Sequence, residues 1–255
     1  MTAVQADQIA IITGAGRGLG RAFALRFARE GASLLLPDIN VERANDTAKE
    51  IRSNGGKAMA LEIDISDEAA TIKMAEKVVQ EYGKVDILLN NAAKTEGTDV
   101  RPWDGWTVDE WDKMFAVNVR GTWLCCKAIA PLMIKRSKGK IINVVSDLAK
   151  LPSAYTFLAY SCSKSSVYTL THCLARALGT SGINVNAIAP GLTITEASSS
   201  IPGIEKALDD TIAIRCLKRQ QNPMDLVGTA VFLASQDSDF ITGQTIIVDG
   251  GAVTI

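Results

Sequence analysis

A doubly wound parallel α/β sheet is the fold class this sequence predicts, and three observations predict it. Seven short apolar runs alternate with six longer amphipathic stretches along 255 residues. The apolar runs are near-continuous, as strands covered on both faces require. No internal repeat, linker or low-complexity stretch interrupts the alternation, so a single domain is expected over residues 1–255. A chain of this length buries roughly 70–75% of its unfolded surface, enough to need no metal or disulfide staple.

The elements follow in order. The first strand, 9–13, leads into a glycine-rich turn and a helix over 18–30 that Gly31 stops. The second strand, 33–36, ends at Pro37 and Asp38; proline costs little at a strand end. A helix over 41–53 and a strand over 58–63 come next. Asp67 begins a helix over 68–82 that Gly83 stops. The fourth strand, 87–90, runs into Asn90-Asn91-Ala92-Ala93. A helix over 108–138, stopped by Gly139, precedes the strand 140–145, which delivers Ser146. A helix over 159–179, a strand over 183–189, a helix over 224–235 opened by Asp225 and a last strand over 245–248 complete the order. Two irregular segments, 94–107 with Pro102, Trp103 and Trp106 and 190–202 with three successive serines, follow strands. They therefore lie at the carboxyl edge of the sheet, where such folds bind ligands.

Composition narrows the function classes. Apolar residues make up 47% and charged residues 22%, which excludes a disordered or fibrous chain. Lys+Arg number 27 against 28 Asp+Glu, so no basic excess points to nucleic acid. The five cysteines are odd in number and form no C-x-x-C pair, so buried, reduced thiols are expected and no metal site. The single histidine, His172, excludes H-E-x-x-H zinc chemistry; Walker and G-x-S-x-G motifs are absent. No signal peptide and no run of ~18 apolar residues is visible, so a cytoplasmic protein without a membrane partner is expected.

The first turn reads Thr13-Gly14-Ala15-Gly16-Arg17-Gly18-Leu19-Gly20. Between a strand and a helix, such glycines let the backbone approach a pyrophosphate held at the helix N-terminus. Asp38 lies twenty residues past Gly18, where a carboxylate accepts hydrogen bonds from the adenosine ribose and repels a 2′-phosphate. That favours NAD over NADP, although Arg17 could pair with a 2′-phosphate. Tyr160 and Lys164 are spaced i,i+4 and share one helix face. Bringing a tyrosine from a pKa of about 10 to ~7 takes about 4 kcal/mol, which a neighbouring ammonium and the charge of NAD⁺ can share. Ser146 ends the fifth strand, Asn118 sits inside a helix, where asparagine is expected to bond something, and Asp64 ends the third strand. These polar groups converge on one crevice. His172 lies about 18 Å along the helix from Tyr160, too far to share its substrate, and is expected to pack in the core or at a subunit contact.

Together these motifs resemble the short-chain dehydrogenase/reductase family, in its branch of about 250 residues, from Thr13-Gly14-x-x-x-Gly18-x-Gly20 to Val248-Asp249-Gly250-Gly251. The resemblance implies a Rossmann fold with a seven-stranded parallel sheet, a homotetramer, and a catalytic tetrad of Asn118, Ser146, Tyr160 and Lys164. In it Tyr160 is the acid/base, Ser146 holds the substrate oxygen, Lys164 bonds the nicotinamide ribose and lowers the Tyr160 pKa, and Asn118 anchors a relay water. It also implies that Asp64 and Ile65 flank the adenine and that Asn91 and Ala92 line the adenosine side. Pro190 and Gly191 would lie under the nicotinamide, with Thr193 and Thr195 near its carboxamide. Substrate loops would be 94–107, 147–158 and 190–215, with Ser146, Tyr155, Tyr160 and Leu192 at the substrate.

Three departures from the family pattern stand out: Ala93 ends an N-N-A-A motif, Thr193 replaces an aliphatic residue, and fourteen residues separate Ser146 from Tyr160, one more than expected. The expected activity is NAD-dependent interconversion of a secondary alcohol, cyclic or aromatic, and a ketone. The alternative is a 3-oxoacyl thioester reductase using NADPH, which Asp38 opposes. A non-catalytic dinucleotide sensor would be expected to lose the Tyr–Lys pair, and a longer-branch epimerase or dehydratase would need an extra substrate domain.

Overall fold

The computed structural model describes residues 6–95, 101–151, 157–196, 198 and 204–254. Among these, seven parallel strands are β1 (Ile9–Ile12), β2 (Ser33–Asp38), β3 (Lys57–Glu62), β4 (Ile87–Asn90), β5 (Gly139–Val144), β6 (Ile183–Pro190) and β7 (Thr245–Val248). Their order is β3-β2-β1-β4-β5-β6-β7, so the direction of winding reverses between β1 and β4. The register aligns Ile11 with Leu35 on one side and with Leu88 on the other. Strand ends on the two sides of that reversal open a crevice at the carboxyl edge.

Strand parity explains the two-sided core. Ala10 and Ile12 face a cluster with Phe23, Phe27, Leu36, Leu89, Ile142, Leu226 and Leu233. Ile9 and Ile11 face the opposite cluster with Leu35, Met74, Val78, Ile129, Met133 and Val185. Each such side chain contributes about 1.5–3 kcal/mol when fully buried. The first layer of helices supplies α1 (Gly18–Arg29) and α8 (Met224–Ala234); the second supplies α3 (Glu68–Tyr82) and α5 (Thr122–Ile134). In chain order the remaining helices are α2 (Val41–Ser53), α4 (Val108–Phe115), α6 (Leu158–Leu178) and α7 (Ile204–Ile214).

Helix ends largely follow the expected signals. Asp67 caps α3 by accepting from the Ala69 N–H, and Gly83 ends it in the left-handed region at φ 74°. Gly139 is different: it opens β5, and a Cβ there would overlap Met133. The single helix expected over 108–138 is three pieces, because a π-helical turn, Ala116–Gly121, separates α4 from α5. The segment 190–215 is not wholly irregular either, since it contains α7. The expectation of buried thiols holds for Cys125 and Cys126; Cys162 is half-buried, and Cys173 and Cys216 are exposed. Among the described residues no helix is long and apolar enough to cross a membrane, and no group of three His, Cys, Asp or Glu side chains could hold a metal ion.

Candidate active site

The glycine loop is built for close approach. Gly14 and Gly18 take positive φ, at 67° and 55°. A Cβ on Gly20 would overlap the Gly14 carbonyl, so only glycine lets α1 start this close to the turn. Asn91 braces the loop: its Nδ2 donates to the carbonyls of Thr13 and Gly14 at 3.0 and 3.1 Å. The Thr13 hydroxyl accepts from the backbone N–H groups of Asn91 and Ala92, both at 3.0 Å. Thr47, which the sequence reading did not single out, adds a bond from its hydroxyl to the Ala15 carbonyl. Leu19, half-buried, packs against the core cluster. Arg17 precedes α1 in extended backbone.

Asp38 stands at the end of β2, as expected, yet its carboxylate is not idle. It accepts from the backbone N–H of Gly16 at 2.8 Å and of Asn40 at 2.9 Å. Asp64 is exposed and binds Ser66, while Ile65 is buried against Gly121 of the π turn. The carboxylate of Glu196 accepts from the Gly18 N–H at 3.2 Å. An anion is thus seated on the N-terminal amide that a pyrophosphate would use. Two glycines in the left-handed region, a cradle that a Cβ would fill and an anion on its amide all fit a dinucleotide.

Across the crevice β5 delivers Ser146, buried, and α6 delivers Tyr160 and Lys164. The Lys164 ammonium lies 5.7 Å from the Tyr160 ring centre and donates to the Val144 carbonyl at 2.7 Å. Burial lowers the Lys164 pKa to about 8. Burial also raises Tyr160 well above the ordinary phenol range; the Asp147 carboxyl adds to that and a hydrogen bond with Ser146 opposes it. Desolvation thus sets a direction opposite to the lowering expected from Lys164, and the group that lowers Tyr160 is Ser146.

Asn118 lies in the π turn, where its side-chain oxygen accepts from the Lys94 N–H at 2.7 Å. Its Nδ2 donates to the Ser163 hydroxyl at 3.0 Å, tying the turn to α6. Extra-wide turns of this kind recur at functional sites. His172 packs edge-on against Tyr168, with ring centres 4.6 Å apart.

Pro190 ends β6, and Gly191 follows so tightly that a Cβ would crowd Asp249, Gln221 and Arg215. Thr193 bridges to Gln221 and bonds the Gly191 carbonyl; the Thr195 N–H donates to Ser198. The Leu192 carbonyl accepts from Arg215 at 2.8 Å. Tyr155 lies outside the described residues. Trp103 is 73% exposed, and Trp106 lies beneath the Arg101 guanidinium at 4.4 Å. Three buried groups gather here, Asp147, Arg215 and Asp249; the sequence reading noted only Asp249, within the Val248-Asp249-Gly250-Gly251 motif, and gave it no role. An arginine inside the apolar stretch 212–217 is the signal that could have pointed to Arg215.

The sequence profile of the family described as Enoyl-(Acyl carrier protein) reductase matches residues 14–253. Galactitol 2-dehydrogenase of Agrobacterium fabrum is 39% identical over 96% of this chain and 97% of its own. A 7α-hydroxysteroid dehydrogenase solved with NADH and 7-oxo glycochenodeoxycholic acid superposes with a TM-score of 0.91, at 32% identity over 100% of this chain and 97% of that one. A protein assigned as an NAD(P)-dependent gluconate 5-dehydrogenase of Beutenbergia cavernae, with bound NADP, superposes with a TM-score of 0.91, at 31% identity over 99% of both chains. A near-full-length profile match, relatives above 30% identity and the reversal of winding beneath a glycine cradle coincide in one molecule, which belongs to the short-chain dehydrogenase/reductase family.

Proposed function

We propose that this protein interconverts a secondary alcohol and a ketone with NAD. The observation that carries the reading is that Ser146, Tyr160 and Lys164 meet across the crevice from the glycine cradle, with Asn118 tied to α6 beside them. Tyr160 gives a proton to the ketone oxygen or takes one from the alcohol. Ser146 holds that oxygen, Lys164 binds the nicotinamide ribose, and Asn118 anchors a water in the relay. Gly14, Arg17, Gly18, Leu19, Gly20, Asp38, Asp64, Ile65, Asn91, Ala92, Pro190, Gly191, Thr193 and Thr195 hold the cofactor, beside Tyr160 and Lys164. The nicotinamide supplies the hydride chemistry when bound.

Asp38 supports NAD. A ribose 2′-phosphate beside it would meet a like charge, and losing two ribose hydrogen bonds as well costs NADP about 3 kcal/mol, or roughly a hundredfold in affinity. Asp38→Ala is expected to narrow the NAD/NADP ratio from both directions, weakening NAD and relieving NADP. Because Asp38 also holds the Gly16 N–H, the NAD side should suffer more.

The half-buried Leu148, Leu151, Phe157 and Leu192 support a compact cyclic or aromatic substrate. A second reading, a 3-oxoacyl thioester reductase using NADPH, is supported by a 34% identical relative, a 3-oxoacyl-[acyl-carrier-protein] reductase of Thermotoga maritima, and opposed by Asp38. The assembly read from the family resemblance is a cytoplasmic homotetramer. An open groove of about 840 Å³ between α4–α5 and α6, lined by Phe115, Val119, Trp123 and Leu170, supports a face covered by a second copy.

Steady-state kinetics with NAD and NADP over secondary alcohols of graded size test all of this. Turnover of a compact apolar alcohol with NAD is expected. Equal kcat/KM for the two cofactors, or far faster turnover of a polyol or an acyl thioester, would overturn the respective part.

A further inference from the structure

Asp147 follows Ser146 directly and is only 3% exposed. Its Oδ1 accepts from the Ser146 hydroxyl at 3.3 Å, while its Oδ2 is buried without a hydrogen-bond partner among the described residues. An isolated carboxylate in such a place costs several kcal/mol unless it is neutral or paired. The charged groups facing it come from three elements. Asp249, after β7, is buried and accepts from the N–H groups of Gly251 and Val253 at 2.8 and 2.7 Å. Arg215, after α7, is 1% exposed and donates to the carbonyls of Leu192 and Arg219. Tyr160, on α6, is the third. Arg219 and Asp225 stand behind Arg215 as an exposed pair.

The Asp249 carboxyl and the Arg215 guanidinium therefore act on the Asp147 carboxyl through their charges, with opposite signs. Asp147 has a long bond from Ser146, help from the Leu148 N–H and an orphan oxygen, too little to offset its burial. The proton thus belongs on Asp147, whose carboxyl burial raises to about 7, with Asp249 pushing the same way.

Ser146 has a single hydroxyl proton, and its oxygen already accepts from the Leu148 N–H at 3.2 Å. When Asp147 is ionised, the hydroxyl proton is drawn to its Oδ1, and Ser146 can only accept from Tyr160, which holds the phenol neutral. When Asp147 is neutral, its own O–H can donate to Ser146, and the serine proton is released toward the Tyr160 or substrate oxygen. Both the hydrogen-bond direction and the charge then act alike: ionised Asp147 opposes the phenolate that alcohol oxidation needs.

We infer that Asp147 is a positioning residue that sets the acid–base window of Tyr160 by deciding where the Ser146 hydroxyl points. The inference rests on the proposed dehydrogenase reading. Asp147→Asn keeps the shape, removes the charge and offers an N–H to Ser146, so it mimics the neutral state.

The test is the pH profile of alcohol oxidation at saturating NAD. The rising limb is expected to move to lower pH by about one unit or more in Asp147→Asn, the low end of the effect of a nearby like charge. Asp147→Ser, smaller and uncharged, should move it the same way. A changed kcat with an unmoved limb in both variants is what a merely structural role gives, and it would overturn the inference. A second arm needs no turnover: ¹³C NMR of aspartate-labelled protein, with Asp147 assigned by its loss in Asp147→Asn. Its carboxyl should titrate near neutrality and move upward in Ser146→Ala, which removes the donor. An ordinary acidic titration, or one indifferent to Ser146, overturns the inference whether or not an alcohol is oxidised. Absence of any alcohol-dependent NAD reduction by the wild type overturns the functional reading instead and leaves the NMR arm to decide this one.

Discussion

At the residue scale, the proposed chemistry turns on how the half-buried Tyr160 phenol would exchange a proton. Lys164 spends one of its three donors on the Val144 carbonyl and keeps its ammonium near the Tyr160 ring. Tyr160→Phe should bind NAD as the wild type does and lose about 10²–10⁴ in kcat, the usual worth of a positioned acid/base; calorimetry for binding and stopped-flow kinetics for turnover check the pair. A variant that keeps a tenth of wild-type turnover would remove Tyr160 from that role. The positions of Ser146, Tyr160, Lys164 and Asn118 were legible because a polar side chain at a strand end or inside a helix is conspicuous against an apolar pattern. Asp147 was not legible. An aspartate beside a serine after a strand reads as an ordinary turn residue, and its burial is created by Arg215 and Asp249, which lie 68 and 102 positions further along the numbering.

At the element scale, the strands were the easiest part to read. β4 and β7 fall where the apolar runs end, and the other strands differ at their ends by one or two residues. Strands buried on both faces stand out as unbroken apolar runs between polar segments. The helices were harder. The π turn is invisible to a 3.6-residue period because one extra residue is hidden inside an otherwise continuous amphipathic pattern. α7 was missed because serines and prolines precede it and it buries little, with Leu208 the one fully buried side chain among its described residues. The N-terminus of α1 carries its own prediction. Glu196 accepts from the Gly18 N–H, so it competes with a pyrophosphate for the same donor and adds a like charge. Glu196→Gln should therefore bind NAD severalfold more tightly, measured by fluorescence titration; weaker binding would mean that Glu196 helps to hold the loop instead.

At the scale of the whole molecule, charge and assembly set two further expectations. A carboxyl whose pKa in the folded protein lies above its unfolded value favours folding most while it is neutral. Asp147, raised from 3.8 to about 7, should therefore cost stability as pH rises between those values, by about 4 kcal/mol at most and level beyond. The melting temperature of Asp147→Asn should gain on the wild type from pH 4 to 8; parallel curves would show that the carboxyl is not buried as a neutral group. Trp123, 43% exposed on the groove beside α6, is the residue to test the proposed assembly. If copies do meet at this groove, Trp123→Glu should shift the protein to a smaller species in light scattering; an unchanged mass would overturn the proposed contact.

The strand order also bears on how the molecule is made. β1 emerges first but sits near the middle of the sheet, between β2 and β4. It must wait for β4, some 75 residues later in the numbering, before its second edge is covered. A growing chain therefore carries an open, apolar strand edge through that interval, the kind of surface that chaperones bind. β7 is the last strand to appear, and Asp249 follows it. The charge cluster behind Ser146 cannot close until residue 249 has been translated. Nascent chains shorter than that can hold the nucleotide half of the sheet while their proton-handling edge is still unfinished, so the capacity to bind should arise during synthesis before the capacity to turn over.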